Sequence, residues 1–467
     1  MAGGLASFVA IARKGKSHMN SQALDLRQLN NKNLSPNERA ELRCQLAKQY
    51  EDAGQYEAAR QAMGELWQRI GEHPNVAGLQ PSVAGEVLLR AGVLTSWIGS
   101  CQQIEDSQEI AKNLLSESIS IFESLSYGKK IAEAQIELAL CYWREGRYSE
   151  ARLILKDVLA RLTVDSELKA RAILRSAIVE CSAACYQDAL KMLREAAPLF
   201  EKITNHTLKG SYHNQLAMIF QTLAEAGQRS YLDQAFIEYT AASFHFEESK
   251  HKLYLANVEN NLGLLYFTAN RFKEAHRHLD YARELMGSLK DRVGAARVNE
   301  TRARVFLAQE RYQDAEKAAH GAVRVLEQNQ HHALAESLIT YGKVLARLGR
   351  AEQARHTLYR AIEISEGAGA KNRAGEAALV IVRELGGHFE EVQTLTEKLP
   401  LLKELQRYEH GLIKQALISG GGSITRAARL LGTTHQHLAY LIKKRHKDLL
   451  ALRTPVIRRR KSIIKKR

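Results

Sequence analysis

Residues 263–282, GLLYFTANRFKEAHRHLDYA, and residues 303–322, ARVFLAQERYQDAEKAAHGA, decide how the rest of the chain is read. Each opens on a small residue, with further signals at offsets of 3, 7, 9 and 12: Gly263, Tyr266, Asn270, Phe272 and Ala275, then Ala303, Phe306, Glu310, Tyr312 and Ala315. The small residue and the following aromatic belong to one helix, and the residue at the third signal ends it. The second aromatic and the alanine open another helix that packs closely on the first. Apolar positions continue down that second helix at helical spacing, as in Ala275, Leu279 and Ala282. Such a hairpin cannot bury its apolar face alone, so neighbours must stack.

The same spacing recurs in Ala47, Tyr50, Gly54, Tyr56 and Ala59, in Ala139, Tyr142, Gly146, Tyr148 and Ala151, and in Gly342, Leu345, Gly349, Ala351 and Ala354. Weaker copies fall near Ala177 with Tyr186 and Ala189, near Ala217 with Phe220 and Ala235, and near Ala378; another spans Val83 to Leu125. On these residues the chain resembles the tetratricopeptide-repeat (TPR) family over positions 40–395. The last three clear copies start 40 and 39 residues apart, longer than the family's usual period of about 34 residues, which implies extended helices or longer loops. The resemblance implies an α-α superhelical solenoid whose concave groove, lined by the first helix of each hairpin, binds a peptide or protein partner. Asn257, Asn260 and Leu264 are expected to face that groove, where an Asn amide pairs with a peptide backbone as donor and acceptor. Arg297, Arg304 and Lys343 are expected to meet an acidic ligand. For each of these residues a merely solvated helix face is the alternative.

A different pattern stands near the end. Residues 413–442 read IKQALISGGGSITRAARLLGTTHQHLAYLI, two short helical patterns flanking Gly432. Ser423 is a candidate N-cap for the first of them, and Leu438 and Leu441 share a face of the second. Ala416-Leu417, Gly421, Thr425-Arg426-Ala427-Ala428, Leu431-Gly432 and Leu438 resemble the Fis-type helix-turn-helix of bacterial transcriptional regulators. That resemblance implies a reading helix from Thr434 to about Arg445 that enters the major groove of double-stranded DNA, supported by a homodimer. Thr434, His435, Gln436 and His437 would reach base edges, with Tyr440 on the same helix, and Thr425 and Arg426 would contact phosphates. The family's usual Arg is absent where His435 stands, so an Arg fork on a base is not available there. The apolar stripe from Leu401 to Leu417 is either the last capping helix of the solenoid or a packing or dimerising helix of the terminal unit.

Charge supports a polyanionic partner at that end. The chain of 467 residues has a net charge of +15, and from Leu401 onward it holds 17 of the 67 Lys+Arg but 3 of the 52 Asp+Glu. The remainder is close to neutral. Lys443, Lys444 and Arg445, then Arg458, Arg459, Arg460 and Lys461 beyond Pro455, are expected to bind phosphates or a minor groove.

Other classes find little support. The 45% hydrophobic share and 6 Pro fit an all-α chain, and no apolar run reaches the roughly 18 residues of a membrane span. Five cysteines, Cys44, Cys101, Cys141, Cys181 and Cys185, form no metal-ligand array, and the odd count points to a reducing cytoplasm. Ala10 to Ser17, AIARKGKS, imitates a phosphate loop but has Ala for the first Gly and no preceding strand. No cofactor, metal site or catalytic constellation is expected, and the chain does not read as an enzyme. The expected organisation is a loosely ordered N-terminal segment 1–35, a TPR-like solenoid 36–399, a Fis-type helix-turn-helix domain 400–452 and a basic tail 453–467. The reading is a cytoplasmic DNA-binding regulator whose solenoid takes a peptide or protein. Its rival is a TPR scaffold whose basic end binds nucleic acid or acidic partners non-specifically.

Overall fold

The computed structural model describes residues 34–102, 104–328, 333–367, 370–385, 401–431 and 433–452. The phosphate-loop imitation at Ala10–Ser17, and Arg458, Arg459, Arg460 and Lys461, lie outside them. Among the described residues every regular element is helical, and none of the helices is long and apolar enough to cross a membrane. The chain divides into two compact units, residues 1–337 and 338–467.

The first unit is a succession of helical hairpins: α1 (Pro36–Asp52) with α2 (Tyr56–Met63), α3 (Pro81–Gln102) with α4 (Ser107–Ser124), α5 (Gly128–Arg144) with α6 (Tyr148–Arg161), and α7 (Glu167–Ser182) with α8 (Tyr186–Glu195). After the short α9 (Ala197–Lys202) come α10 (His206–Glu225) with α11 (Leu232–Glu248), α12 (Lys252–Thr268) with α13 (Phe272–Ser288), and α14 (Arg292–Ala308) with α15 (Tyr312–Gln328). Helix α16 (Leu334–Arg347) runs from this unit into the next. Partners within a hairpin pack on each other, and second helices pack on the first helix that follows. Ser35 starts the stack with a capping box: its hydroxyl accepts from the Glu38 N–H, and the Ser35 N–H donates to Glu38 Oε2 at 2.8 Å.

The repeat signature has a local cause. The residue at the third signal takes a positive φ in all five clear copies: Gly54 70°, Gly146 76°, Asn270 58°, Glu310 60° and Gly349 76°. The next N–H then donates to the carbonyl of the first aromatic position, from Gln55 to Tyr50 at 2.8 Å, Arg147 to Tyr142 at 2.9 Å, Arg271 to Tyr266 at 2.9 Å, Arg311 to Phe306 at 2.9 Å and Arg350 to Leu345 at 3.0 Å. This is the bond that closes a Schellman end, and it satisfies a carbonyl the helix would otherwise orphan. In three copies the same Arg lies over the ring, Arg147 on Tyr142 at 4.7 Å, Arg271 on Tyr266 at 4.8 Å and Arg311 on Phe306 at 4.6 Å. Each also pairs with an acid in the next helix, Glu150, Glu274 or Asp314.

Small residues set how closely the two helices approach. A Cβ at Gly263 would lie 2.5 Å from Leu279 Cγ, and Gly85, Gly92 and Gly99 bring α3 equally close to Phe122, Leu115 and Ser107 of α4. Ala47, Ala139 and Ala303, with Ala59, Ala151, Ala275 and Ala315 across the hairpins, are buried at 0–1% exposure. Any larger side chain there would drive the helices apart.

In the second unit Gly342 of α16 meets Leu358 of α17 (Ala351–Gly367) in the same way. Helix α18 (Lys371–Leu385) packs on α17. The remaining helices are α19 (Leu401–Ser419), α20 (Ile424–Leu430) and α21 (His435–Lys444), followed by a 3-10 turn, Lys447–Leu452. Ile413, Ala416, Leu417, Ile424, Ala427, Ala428, Leu438, Ile442 and Leu449 form one buried core among them.

Turn geometry separates two substitutions of opposite sign. Glu310 holds a left-handed conformation that costs a side chain about 1 kcal/mol, so Glu310→Gly is expected to raise the thermal midpoint. Gly349→Ala, where an added Cβ meets nothing within 4 Å, should lower it by a comparable amount, again about 1 kcal/mol, through backbone strain alone. Thermal unfolding followed by circular dichroism checks both.

Candidate functional site

The first helices of the hairpins face inward, and in the first unit the stack closes on itself. Thr207 Oγ1, at the start of α10, donates to the Asp52 carbonyl of the first hairpin at 3.4 Å. A Cβ on Gly54 would come within 2.3 Å of the His251 ring at the start of α12. The first hairpin therefore touches the fifth and the sixth. Between them lies a pocket with walls from Asp52, Tyr56, Trp97, Glu137, Arg175 and Tyr254 among others.

Its aromatic wall is ordered by stacking. Tyr56 lies on Trp97 with ring centres 5.1 Å apart and planes 11° apart, and His251 lies on Tyr254 at 3.8 Å and 11°. His251 is 1% exposed, and its Nδ1 accepts the Tyr254 N–H at 3.2 Å. Burial pushes its pKa down to about 4, so the ring is neutral at pH 7. A second group, His206, His213 and His245, bridges α10 and α11, with 3.0 Å between the Nδ1 atoms of His206 and His245. Burial and then His213 hold His245 down to about 4.

The charged wall is tied together by an ion network. Arg90, 2% exposed, donates to Glu51 at 2.6 Å and to Glu133 at 2.7 Å, and lies 3.2 Å from Glu86. Lys130 meets Glu86 at 2.6 Å and Glu133 at 3.1 Å, and Lys48 also pairs with Glu133. Helices α1, α3 and α5 are thereby joined along their inner faces. Burial raises the Glu51 carboxyl to about 7 against the pull of Arg90. Glu133, facing Arg90, Lys48 and Lys130, is held well below the carboxylate range despite its burial.

None of the groove residues expected from sequence lines this pocket. Asn257 and Asn260 lie on α12, farther along the helix than His251 and Tyr254 and outside the pocket, both half-buried, with Asn260 Oδ1 buried and without a hydrogen-bond partner. Arg297 is exposed on α14. Arg304 is engaged by Glu300 at 2.6 Å and by Glu336, and Lys343 by Glu376 at 2.8 Å. The last two are ties between helices rather than open cations, because the sequence pattern does not reveal the acid one hairpin away. Arg144 and Arg175, on Trp97, were not singled out from sequence; for Arg144, an Arg ending a first helix beside the aromatic Trp143 was the available signal, and Arg175, mid-helix, had none.

The terminal unit has its own geometry. Helix α19 ends where Gly421 and Gly422 take φ of 59° and 74°, and the Gly422 N–H returns to the Leu417 carbonyl at 2.8 Å. Ser423 caps α20 by accepting from the Arg426 N–H, as its position suggested. The Thr433 N–H closes the next turn on the Ala428 carbonyl at 2.9 Å, and the Thr434 carbonyl accepts from Leu438 at 3.0 Å to open α21. Thr425, Arg426, Thr434, His435, Gln436, Tyr440, Lys443, Lys444 and Arg445 are exposed, while the side chain of His437 lies outside the described residues. Neither α20 nor α21 contains an acid. Glu409 and Asp448, from α19 and the final turn, are taken up by His446 at 2.8 Å and His410 at 2.5 Å.

Residues 294–367 match the tetratricopeptide-repeat family. The match covers α14 to α17, and over those residues the hairpins are similar to tetratricopeptide repeats. No curated protein matches the chain. Among solved structures, a Rap protein complexed with competence and sporulation factor is 13% identical over 80% of this chain and 100% of that one, with a TM-score of 0.49. The apo quorum sensor NprR from B. thuringiensis is 12% identical over 71% of this chain and 88% of its own, at 0.49. A STAND protein with a tetratricopeptide-repeat sensor from Pyrococcus horikoshii is 14% identical over 77% of this chain and 54% of its own, at 0.48.

Acid should loosen the closed turn. An unfolded His binds a proton near pH 6.5 and buried His251 only near pH 4, so the stabilisation is complete above about 6.5 and declines as pH falls toward 4. The slope is about 1.4 kcal/mol per pH unit for each such His. Thermal midpoints from pH 7 to pH 4.5 should fall, and His251→Phe should flatten the fall relative to the parent chain.

Proposed function

We propose that this chain is a DNA-binding regulator of the bacterial type, in which the helical hairpins take a peptide or protein partner and residues 400–452 form a helix-turn-helix reader. What carries the reading is the exposed surface of α20 and α21. Thr434, His435 and Gln436 at the start of α21 face outward toward where base edges would lie, and Thr425 and Arg426 at the start of α20 toward phosphates; Lys443 and Lys444 at the far end of α21 add charge without an acid on either helix, and Arg445 just beyond lies 3.8 Å from Glu409. Arg458, Arg459, Arg460 and Lys461 extend that charge along the sequence. The chain works in the cytoplasm as a homodimer, reads by binding rather than by catalysis, and the partner acts by changing the pairing or exposure of the reader. A scaffold whose basic end binds nucleic acid indiscriminately is the competing reading.

Mapping of genomic fragments bound by the full chain at physiological salt separates the two. A recurring sequence is expected; equal retention of genomic and random duplex would remove the regulator reading. On a preferred duplex, replacing Lys443 and Lys444 by Gln should reduce the slope of log affinity against log salt by about 0.9 for each phosphate no longer neutralised, with preference kept. Gln436→Ala should instead relax preference at one base pair, at a cost of about 1–3 kcal/mol.

A further inference from the structure

Most charges near the pocket find a partner within the first unit. Glu51 is met by Arg90, and Glu137 lies 3.9 Å from Arg171. Arg144 and Arg175 are different. Neither has a carboxylate within 4.0 Å among the described residues. The Arg144 guanidinium lies 4.2 Å from the centre of the Trp97 ring and donates to the Ser96 hydroxyl, a neutral acceptor that itself donates to Gln108 Oε1 at 2.7 Å. The Arg175 guanidinium stands 5.9 Å from the same ring, with its Nε buried and no acceptor. Burial, with the charge of Arg175 also opposing, pulls Arg144 below its ordinary value. Two guanidiniums on one indole, short of acceptors and repelling each other, form a site that an anion would relieve.

The surroundings narrow the choice of anion. Tyr56, stacked on Trp97, and Tyr254 give the pocket aromatic walls, while Glu51, Asp52 and Glu137 also border it. Those acids disfavour a doubly charged phosphate, whereas a singly charged planar carboxylate fits a guanidinium fork and has less repulsion to overcome. We propose that Arg175, in the pocket wall beside Trp97, receives a carboxylate carried by the peptide partner, either its C-terminus or an Asp or Glu side chain, and that Arg144, on the same ring but outside the wall, adds its positive charge. This rests on the reading that the hairpin stack binds a peptide. It moves the acid-recognising function from Arg304 and Lys343, which are already paired, to cations that sequence spacing did not mark.

Calorimetric titration of the full chain with pools of random hexapeptides lacking Asp and Glu tests it. One pool keeps a free C-terminus; the others are amidated and carry a fixed central Glu, Gln or Lys. At least one carboxylate pool should bind about tenfold or more tightly than the amidated Gln pool, and which one does so identifies the source. Arg175→Gln, which removes no internal ion pair, should erase that margin with helical content unchanged, and Arg144→Gln, which removes the neighbouring charge, should shrink it. Equal binding by all pools, preference for the Lys pool, or a margin that survives Arg175→Gln would overturn the carboxylate site while leaving peptide binding intact. No binding by any pool would overturn both, and Arg175→Gln alone decides if Arg144→Gln does not fold.

Discussion

The pocket exists because Gly54 lies against His251. With no Cβ at residue 54 the end of the first hairpin can approach the start of α12 until the imidazole fills the space a side chain would need. That approach converts a row of inner helix faces into walls that look at one another. Tyr56 and Trp97 on one side and Tyr254 on the other share a cavity only because the turn closes. The neutral state of His251 belongs to the same constraint: an imidazolium there would be buried with its Nδ1 no longer able to accept the Tyr254 N–H.

Two kinds of force divide the remaining work. Apolar contacts and close helix approach build each hairpin, and ion pairs align the first helices of successive hairpins. Arg90 is the clearest case of the second kind, since it draws Glu51, Glu86 and Glu133 from three helices to one buried guanidinium. Such a network contributes less net stability than its charges suggest, because burying them costs much of what their attraction returns. Its stronger effect is on geometry, as few other placements of α1, α3 and α5 would satisfy every member. The inner face is thus largely committed to internal pairing, and the cations left over on Trp97 stand out against it.

How much of this was legible in sequence depended on whether the cause was local. The offsets linking Tyr266, Asn270 and Arg271 encode a helix end, and the same bond and backbone angle follow in every clear copy. Ser423 was legible for the same reason, since a cap acts on its own helix. The hairpin at Val83–Leu125 was located, but its glycine ladder at 85, 92 and 99 was not recognised as the feature that replaces the usual signature. Partnerships across hairpins were beyond reach. Arg304 and Lys343 have the spacing of groove residues, and only the fold brings Glu336 and Glu376 beside them. Arg144 and Arg175 gain their interest from a ring on a third helix and from having no carboxylate within 4.0 Å among the described residues.

The contact between Gly54 and His251 also fixes an integer. Repeat arrays commonly gain or lose a unit, because each neighbour looks like the last. Between residues 54 and 251 that freedom is gone: one hairpin more or fewer would bring a different helix start opposite Gly54, and no other first helix in that span begins with a buried histidine. Among the described residues beyond α12 no such closure ties the count of hairpins. Length variation among relatives of this chain should therefore gather after the closed turn, and the number of hairpins within it should hold constant even where the sequence has drifted.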